Sequence, residues 1–362
     1  MLALLTQLVV VCSTFLSVHG RCVQAVIAPR RDCTIDACGK SSSEHRLRQQ
    51  PPTMVAALSC LVAAVLAGNG AFGLQRLSGI TASKLVGGAP VDLGAALAGD
   101  KKTCVVLGTY AADFNAIEYC QRLQHYAPKL RERGYDDFKI VLNAEPAAAR
   151  ALVDALDLDE NLEILCDPSG AAGRAFGVSR GWKPDDDEIR ITDEFAIPLN
   201  AYGKLFGMLL GLGAWATLPA VIGGYVGNPF TPQPWIEDAL AQGMRKDRFP
   251  GNALDLDAAG AVTSNKFKEL PGVGSWPRPP LELATLRLQN MVGISLAKWD
   301  ELKPDNLATL TQLGGCVLSD GNGGVAYEWT DPGICAVANF EEVLKALDAP
   351  AKDDAAVEAL AA

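Results

Sequence analysis

LEILCDPSGAAGRAFGV, residues 162–178, is the stretch whose reading decides the fold. Its first five residues are an apolar run of strand length, closed by an Asp-Pro-x-Gly turn. The rest reads as a short helix ending at Gly177. Working backwards, Pro146 sits where the first turn of a helix tolerates it, and AAARALVDALDL continues that helix. FKIVLN (138–143) is a second strand. Before it, an amphipathic helix runs from about Ala116 to Arg133 and ends at Gly134. KTCVVLGTY (102–110) is the strand that opens the body. Strands and helices therefore alternate as βαβαβ, which predicts a parallel sheet core.

Working forwards, QLGGCVLSDGNGGVAYEW (312–329) reads as two strands around a Gly/Asn turn, followed by a terminal helix, FEEVLKAL (340–347). Asp167, Pro168, Gly170, Arg174, Phe176, Gly177 and Val178, with that late hairpin and helix, resemble peroxiredoxins in the correct order. The similarity is to the peroxiredoxin-like branch of the alkyl hydroperoxide reductase/thiol-specific antioxidant family. It implies an α/β, thioredoxin-like fold: βαβαβ, then a β-hairpin and terminal helix, interrupted by a long, mostly helical apolar insert. Most of the matching residues build a turn and a helix that pack the sheet.

The resemblance also says where chemistry belongs. In peroxiredoxins the first strand leads into Tyr-Pro-x-Asp-Phe-Thr-x-x-Cys, and the thiolate of that Cys attacks peroxide from the first turn of the next helix. Here the matching residues run Tyr110, Ala111, Ala112, Asp113, Phe114, Asn115, Ala116, Ile117, Glu118. Glu118 thus occupies the usual peroxidatic position. Its spacing from Asn115 is that of a capping box, and a carboxylate acting as acid or base is the sharper alternative. Cys120 follows two residues later, past the first turn where the helix dipole fades, and beside a carboxylate that raises a thiol's pKa. It is a candidate attacking thiol, set against a buried structural cysteine. Cys335, in TDPGICAV, is expected to be more exposed and is the candidate resolving thiol. Cys104, Cys166 and Cys316 fall on core strands. His125 reads as a helix-surface residue with nothing to orient it.

Composition narrows the field. Of ten cysteines five lie before residue 61, no CxxC pair occurs in the body, and the body's odd five do not indicate a disulfide framework. Body histidine is limited to His125, so a His-rich metal site or a Ser-His-Asp triad is excluded. No cofactor or metal is expected. The first 91 residues carry eight Lys/Arg against three Asp/Glu, so a formal net charge of -10 leaves the body near -15. An acidic body speaks against nucleic acid as a partner.

Residues 1–71 read as a signal or targeting leader and 72–91 as a transit-like segment. MVAALSCLVAAVLAGNGAFG, from Met54, resembles a signal-peptide core, and the stretch after Phe72 has no acid until Asp92. Together they resemble the two-part presequences of complex plastids, reached by the secretory route. Either Met1 or Met54 serves as the start. The thioredoxin-like domain then occupies 92–180 and 311–348, with an insert over 181–310 and a tail over 349–362. From Leu205 to Ile236 the insert has no charged residue, and Gly203, Gly207 and Gly211 are spaced by four, as are Gly223 and Gly227. Such spacing lets helices approach closely in membranes. Both flanks must lie in one sheet, so a single crossing is excluded. Pro219 is expected to divide the segment into two helices too short to span. A hairpin that dips into or lies on a membrane, or packs on a partner, is one reading of 195–236; a buried hairpin is the other. LELATLRLQNMVGISLAKWDEL (281–302) reads as a helix bent near Gly293. Two functions lead, ahead of a lipid or pigment carrier that would use the insert as a pocket. One is a thiol redox or antioxidant protein served by a thiol reductant. The other is a redox-inactive scaffold or assembly factor at a plastid membrane.

Overall fold

The computed structural model describes residues 75–192, 194–248 and 253–349. Residues 1–74, which hold the stretch read as a leader, five cysteines and both candidate starts, and residues from 350 on lie outside the described residues.

The body opens with strands β1 (Thr81–Lys84) and β2 (Pro90–Asp92), and helix α1 (Leu93–Ala98). Then come β3 (Lys102–Leu107), α2 (Phe114–Arg131), β4 (Tyr135–Leu142), α3 (Pro146–Leu156), β5 (Leu162–Cys166) and α4 (Ala171–Phe176). Strands β3, β4 and β5 pair in parallel, with Cys104 opposite Phe138 and Phe138 opposite Leu162. The turn into α4 is built as its residues dictate. Asp167 accepts from the Ser169 hydroxyl (2.6 Å) and the Ala172 N–H (2.7 Å), and Gly170 takes a positive φ.

The segment after α4 begins with a small hairpin, β6 (Glu188–Arg190) and β7 (Ala196–Pro198). Helices α5 (Ala201–Leu209), α6 (Thr217–Val226) and α7 (Trp235–Arg245) follow. After them come the hairpin β8 (Leu254–Leu256) and β9 (Val262–Asn265), helix α8 (Glu282–Asn290), and α9 (Trp299–Leu302). The chain returns as β10 (Gly315–Ser319) and β11 (Val325–Thr330), and the described part closes with α10 (Phe340–Asp348). β10 pairs antiparallel with β3, setting Leu318 opposite Cys104, and β11 pairs with β10. The result is one mixed seven-stranded sheet, ordered β11-β10-β3-β4-β5-β1-β2.

Alternate residues of the central strands serve two cores, as the period of two requires. Val105, Leu107, Val141 and Leu165 face α1 and α4. Cys104, Val106, Ile140 and Ile164 face α2, α3 and α10. Burial on both sides explains why β3 and β4 read as continuous apolar runs.

Two expectations need correction. The segment read as transit-like over 72–91 supplies β1 and β2, and β1 pairs antiparallel with β5, so the sheet starts before residue 92. Leu77 is already in the core. Pro219 does not divide the apolar segment. It sits in the first turn of α6, where a missing N–H costs little. The break lies over residues 210–216, where Gly211 and Gly213 adopt positive φ. The glycines of this segment meet different surroundings. Gly207 gives room to the Trp182 indole, Gly224 to the Arg287 guanidinium, and Gly223 faces open space. The bend near Gly293 is real: α8 passes into a π-helical turn over Met291–Leu296, with the Arg248 side chain against Gly293.

The long segment between α4 and β10 plays two structural parts. Its later half joins the main core through Trp235, Ile236, Leu240, Leu283 and Leu286, which pack over α2. Its earlier half, α5 and α6, covers Phe114 and Cys335 with Met208, Leu209, Ala220 and Val221. No helix among the described residues is long and apolar enough to cross a membrane.

Candidate functional site

The N-cap of α2 is Asp113, whose carboxylate accepts from the Phe114 N–H at 2.9 Å. The expected capping box between Asn115 and Glu118 is therefore not formed. Both residues are already inside the helix, and both are claimed by distant partners. The Asn115 amide donates to Asp331 Oδ2 (2.8 Å) and to the Gly333 carbonyl (3.2 Å), while its oxygen accepts from the Cys335 N–H (2.7 Å). Tyr119, one turn on, donates to Asp331 Oδ1 at 2.5 Å and accepts from the Ala338 N–H. This network fastens the 331–338 loop to the first turns of α2.

Glu118 is fully buried and sits in a clamp of two arginines. Arg287 Nε, from helix α8, donates to Oε1 at 2.6 Å. Arg122, one turn along α2, reaches Oε2 at 3.5 Å. Arg287 spends its other two nitrogens on backbone carbonyls, Ala220 of α6 (2.9 Å) and Cys335 (2.7 Å). Arg122 donates to the Ala338 carbonyl (2.9 Å) and lies over the Trp235 ring. A third guanidinium, Arg278, is pushed down to about 10 by burial and by the repulsion of Arg287 and Arg122.

Each candidate residue can now be placed. Glu118 is fully buried, with each carboxylate oxygen held by an arginine, so no substrate reaches it from solvent in this arrangement. Cys120 is fully buried, and burial pushes its thiol up to about 12. Cys335 is not the exposed thiol its loop suggested. It lies beneath the α5–α6 hairpin, and burial drives its thiol to about 12 against the opposing pull of Arg287. Cys104, Cys166 and Cys316 are buried on β3, β5 and β10. All five described cysteines are free thiols. His125 is oriented after all, with Nδ1 at 2.6 Å from Asp238 of α7.

Two buried acids complete the site. Asp331 is raised to about 7 by burial, despite the hydrogen bonds from Tyr119 and Asn115. Asp113 is raised to about 6, again by burial first. Among the described residues no group of three or more His, Cys, Asp or Glu is placed to hold a metal ion.

Sequence reasoning missed Arg287, Arg122 and Asp331. Arg287 had a signal: it is the lone cation in LELATLRLQNMV, an otherwise mostly apolar helix beyond its opening glutamate. A charge there needs a buried counter-charge, and Glu118 is one.

Neither a family model, nor a curated protein, nor a solved structure matches this chain.

Proposed function

We propose that the chain is a redox-inactive, peroxiredoxin-like module of thioredoxin-like fold, working as a scaffold or assembly factor at a plastid membrane. The observation that carries this reading is Glu118. At the position where the resemblance calls for an attacking thiolate stands a carboxylate locked between Arg287 and Arg122. The insert contributes the lock, so the same segment that enlarges the fold also closes the place of chemistry. The order of elements supports the fold reading: two parallel crossovers, an antiparallel hairpin and a terminal helix. The cysteines support the loss of thiol chemistry, since burial holds Cys120 and Cys335 far from thiolate at neutral pH.

A thiol redox protein, with Cys120 attacking, Cys335 resolving and a thiol reductant as partner, is the second reading. One observation favours it. Arg287 acts on the Cys335 thiol in the direction of lower pKa.

The test adds stoichiometric hydrogen peroxide to the full chain, traps sulfenic acid and locates it by mass spectrometry. The scaffold reading expects slow, scattered oxidation. Rapid modification confined to Cys120 or Cys335, lost on substitution by Ser, would establish the redox reading instead. Plastid delivery through the secretory route is tested separately, by fusing residues 1–74 to a fluorescent protein; retention of the fusion in the cytosol rejects it.

A further inference from the structure

The α5–α6 hairpin has an outer face that stays exposed among the described residues, touched at its edge by Trp299, whose ring lies 6.1 Å from that of Tyr202. On α5, Tyr202, Phe206 and Leu210 are spaced by four and all exposed. On α6, Leu218, Ile222 and Val226 repeat the pattern. Residues four apart share one side of a helix, so each helix presents a continuous apolar ridge. Between the helices Trp215 is 74 % exposed, and just after them Phe230 is 87 % exposed. Contiguous exposure of this kind marks an interaction surface rather than scattered apolar residues.

The hairpin is also held firmly from behind. Arg287 binds the Ala220 carbonyl, the Thr217 hydroxyl accepts from the Ile334 N–H (3.0 Å), and the Ala216 N–H donates to the Pro332 carbonyl (3.2 Å). The outer face is thus presented on a fixed support.

Charge decides the occupant. From Leu205 to Ile236 there is no charge at all. The stretch leading into the hairpin, residues 180–204, carries four Lys/Arg against six Asp/Glu. All four cations are paired with acids: Arg180 with Asp185, Lys183 with Asp186, Arg190 with Glu188 and Lys204 with Asp187. With acids in excess and every cation beside an acid, this rim repels an anionic headgroup. The helices, of nine and ten residues, are about 15 Å long at 1.5 Å per residue. That is half a bilayer core of about 30 Å, but ample for lying in the interface, where apolar side chains enter about 5–10 Å. Trp is a residue of that interface.

We infer that the outer face of the α5–α6 hairpin docks, without crossing, on the surface of a bilayer whose lipids carry no net charge, with Trp215 and Phe230 as its anchors. This names the partner for the membrane part of the proposed function and is independent of the thiol part, which the peroxide experiment tests alone.

The experiment uses the full chain with vesicles of phosphatidylcholine, some bearing bromine-labelled acyl chains that quench tryptophan. The expected result is quenching of an emission component that is missing from Trp215→Phe. Replacing half the lipid by phosphatidylglycerol does not strengthen binding. In flotation, W215S/F230S lowers the partition coefficient roughly a hundredfold, about tenfold for each large side chain kept from the bilayer. Both side chains are exposed, so the double variant keeps the parent's unfolding midpoint. Equal quenching of the parent and Trp215→Phe would place the lipid contact elsewhere, such as the leader, and overturn the inference. Binding that requires phosphatidylglycerol would also overturn it. So would a concentration-dependent dimer abolished by W215S/F230S, which would make a second copy the occupant.

Discussion

The two sides of the α5–α6 hairpin have similar composition and opposite fates. The inner side, with Met208, Leu209, Ala220 and Val221, lies on Phe114 and Cys335 and meets the Arg287–Glu118 pair through the Ala220 carbonyl. The outer side, with Phe206, Leu210, Leu218, Ile222 and Val226, stays exposed to solvent among the described residues. Even the glycines divide this way, Gly207 and Gly224 against side chains and Gly223 into open space. Apolarity alone therefore does not say which side is core. What separates them is a small set of polar anchors, Arg287 and Thr217 among them, that turn one side inward.

If the inner side is fastened as described, the largest loss comes from cutting its deepest anchor. Glu118→Ala leaves Arg287 and part of Arg122 as buried, uncompensated charge and is expected to destabilise the chain by about 3–5 kcal/mol in urea unfolding. Replacing both partners by Met should cost less than the two single changes added together, because no orphan charge remains.

The loop under the inner side should carry the next effect, a dependence on pH. Asp331 is raised to about 7 when folded, against about 3.9 for an unperturbed Asp. The folded state therefore holds the proton more tightly. The stabilisation is fully present below about pH 4 and is lost as pH rises through about 7. Asp113, raised to about 6, acts in the same direction. Urea unfolding from pH 4.5 to 8 should show a falling stability, of about 2–4 kcal/mol for Asp331, and Asp331→Asn should flatten the slope. An unchanged slope would mean that Asp331 is ionised throughout.

Glycine changes then compare the two sides directly. Gly207→Ala drives a methyl into the Trp182 indole and is expected to cost about 1–3 kcal/mol. Gly223→Ala meets nothing within 4 Å on a helix interior and should stabilise by about 0.5–1 kcal/mol. Thermal unfolding reads both, and equal signs would erase the distinction between the faces.

Much of the sheet was legible because its signals are local. The runs around Val105, Ile140 and Ile164 are apolar on both faces, and the Asp167 turn and Pro146 punctuate them. The β1–β2 hairpin was not legible. Four residues, TASK, and three, PVD, carry too little periodicity, and the acid-free run that precedes Asp92 resembles a presequence. In the site, Glu118 was legible as a position but not as a bond. Arg287 lies 169 residues away, and the Asp331 that draws Asn115 out of its capping role lies 216 away. Local spacing favoured Asn115 as cap, and a tertiary acceptor overrode it. The exposure of Cys335 failed for a related reason: a loop sequence does not show what is folded over it. The apolar hairpin was foreseen from composition, while its break was assigned to a proline that the first turn of a helix tolerates.

The pairing of β3 with β10 bears on how the chain is made. Thr103 and Ser319, which hydrogen-bond across that ladder, are 216 residues apart. At roughly 5–20 residues per second on the ribosome, the partner of β3 arrives about 10–40 s after β3 itself. Throughout that delay β3, apolar on both faces, stands as an open sheet edge of the kind that recruits other chains. The newborn protein therefore depends on something to shelter that edge until β10 is synthesised, and its yield in a cell should track the supply of chaperone more closely than its final stability.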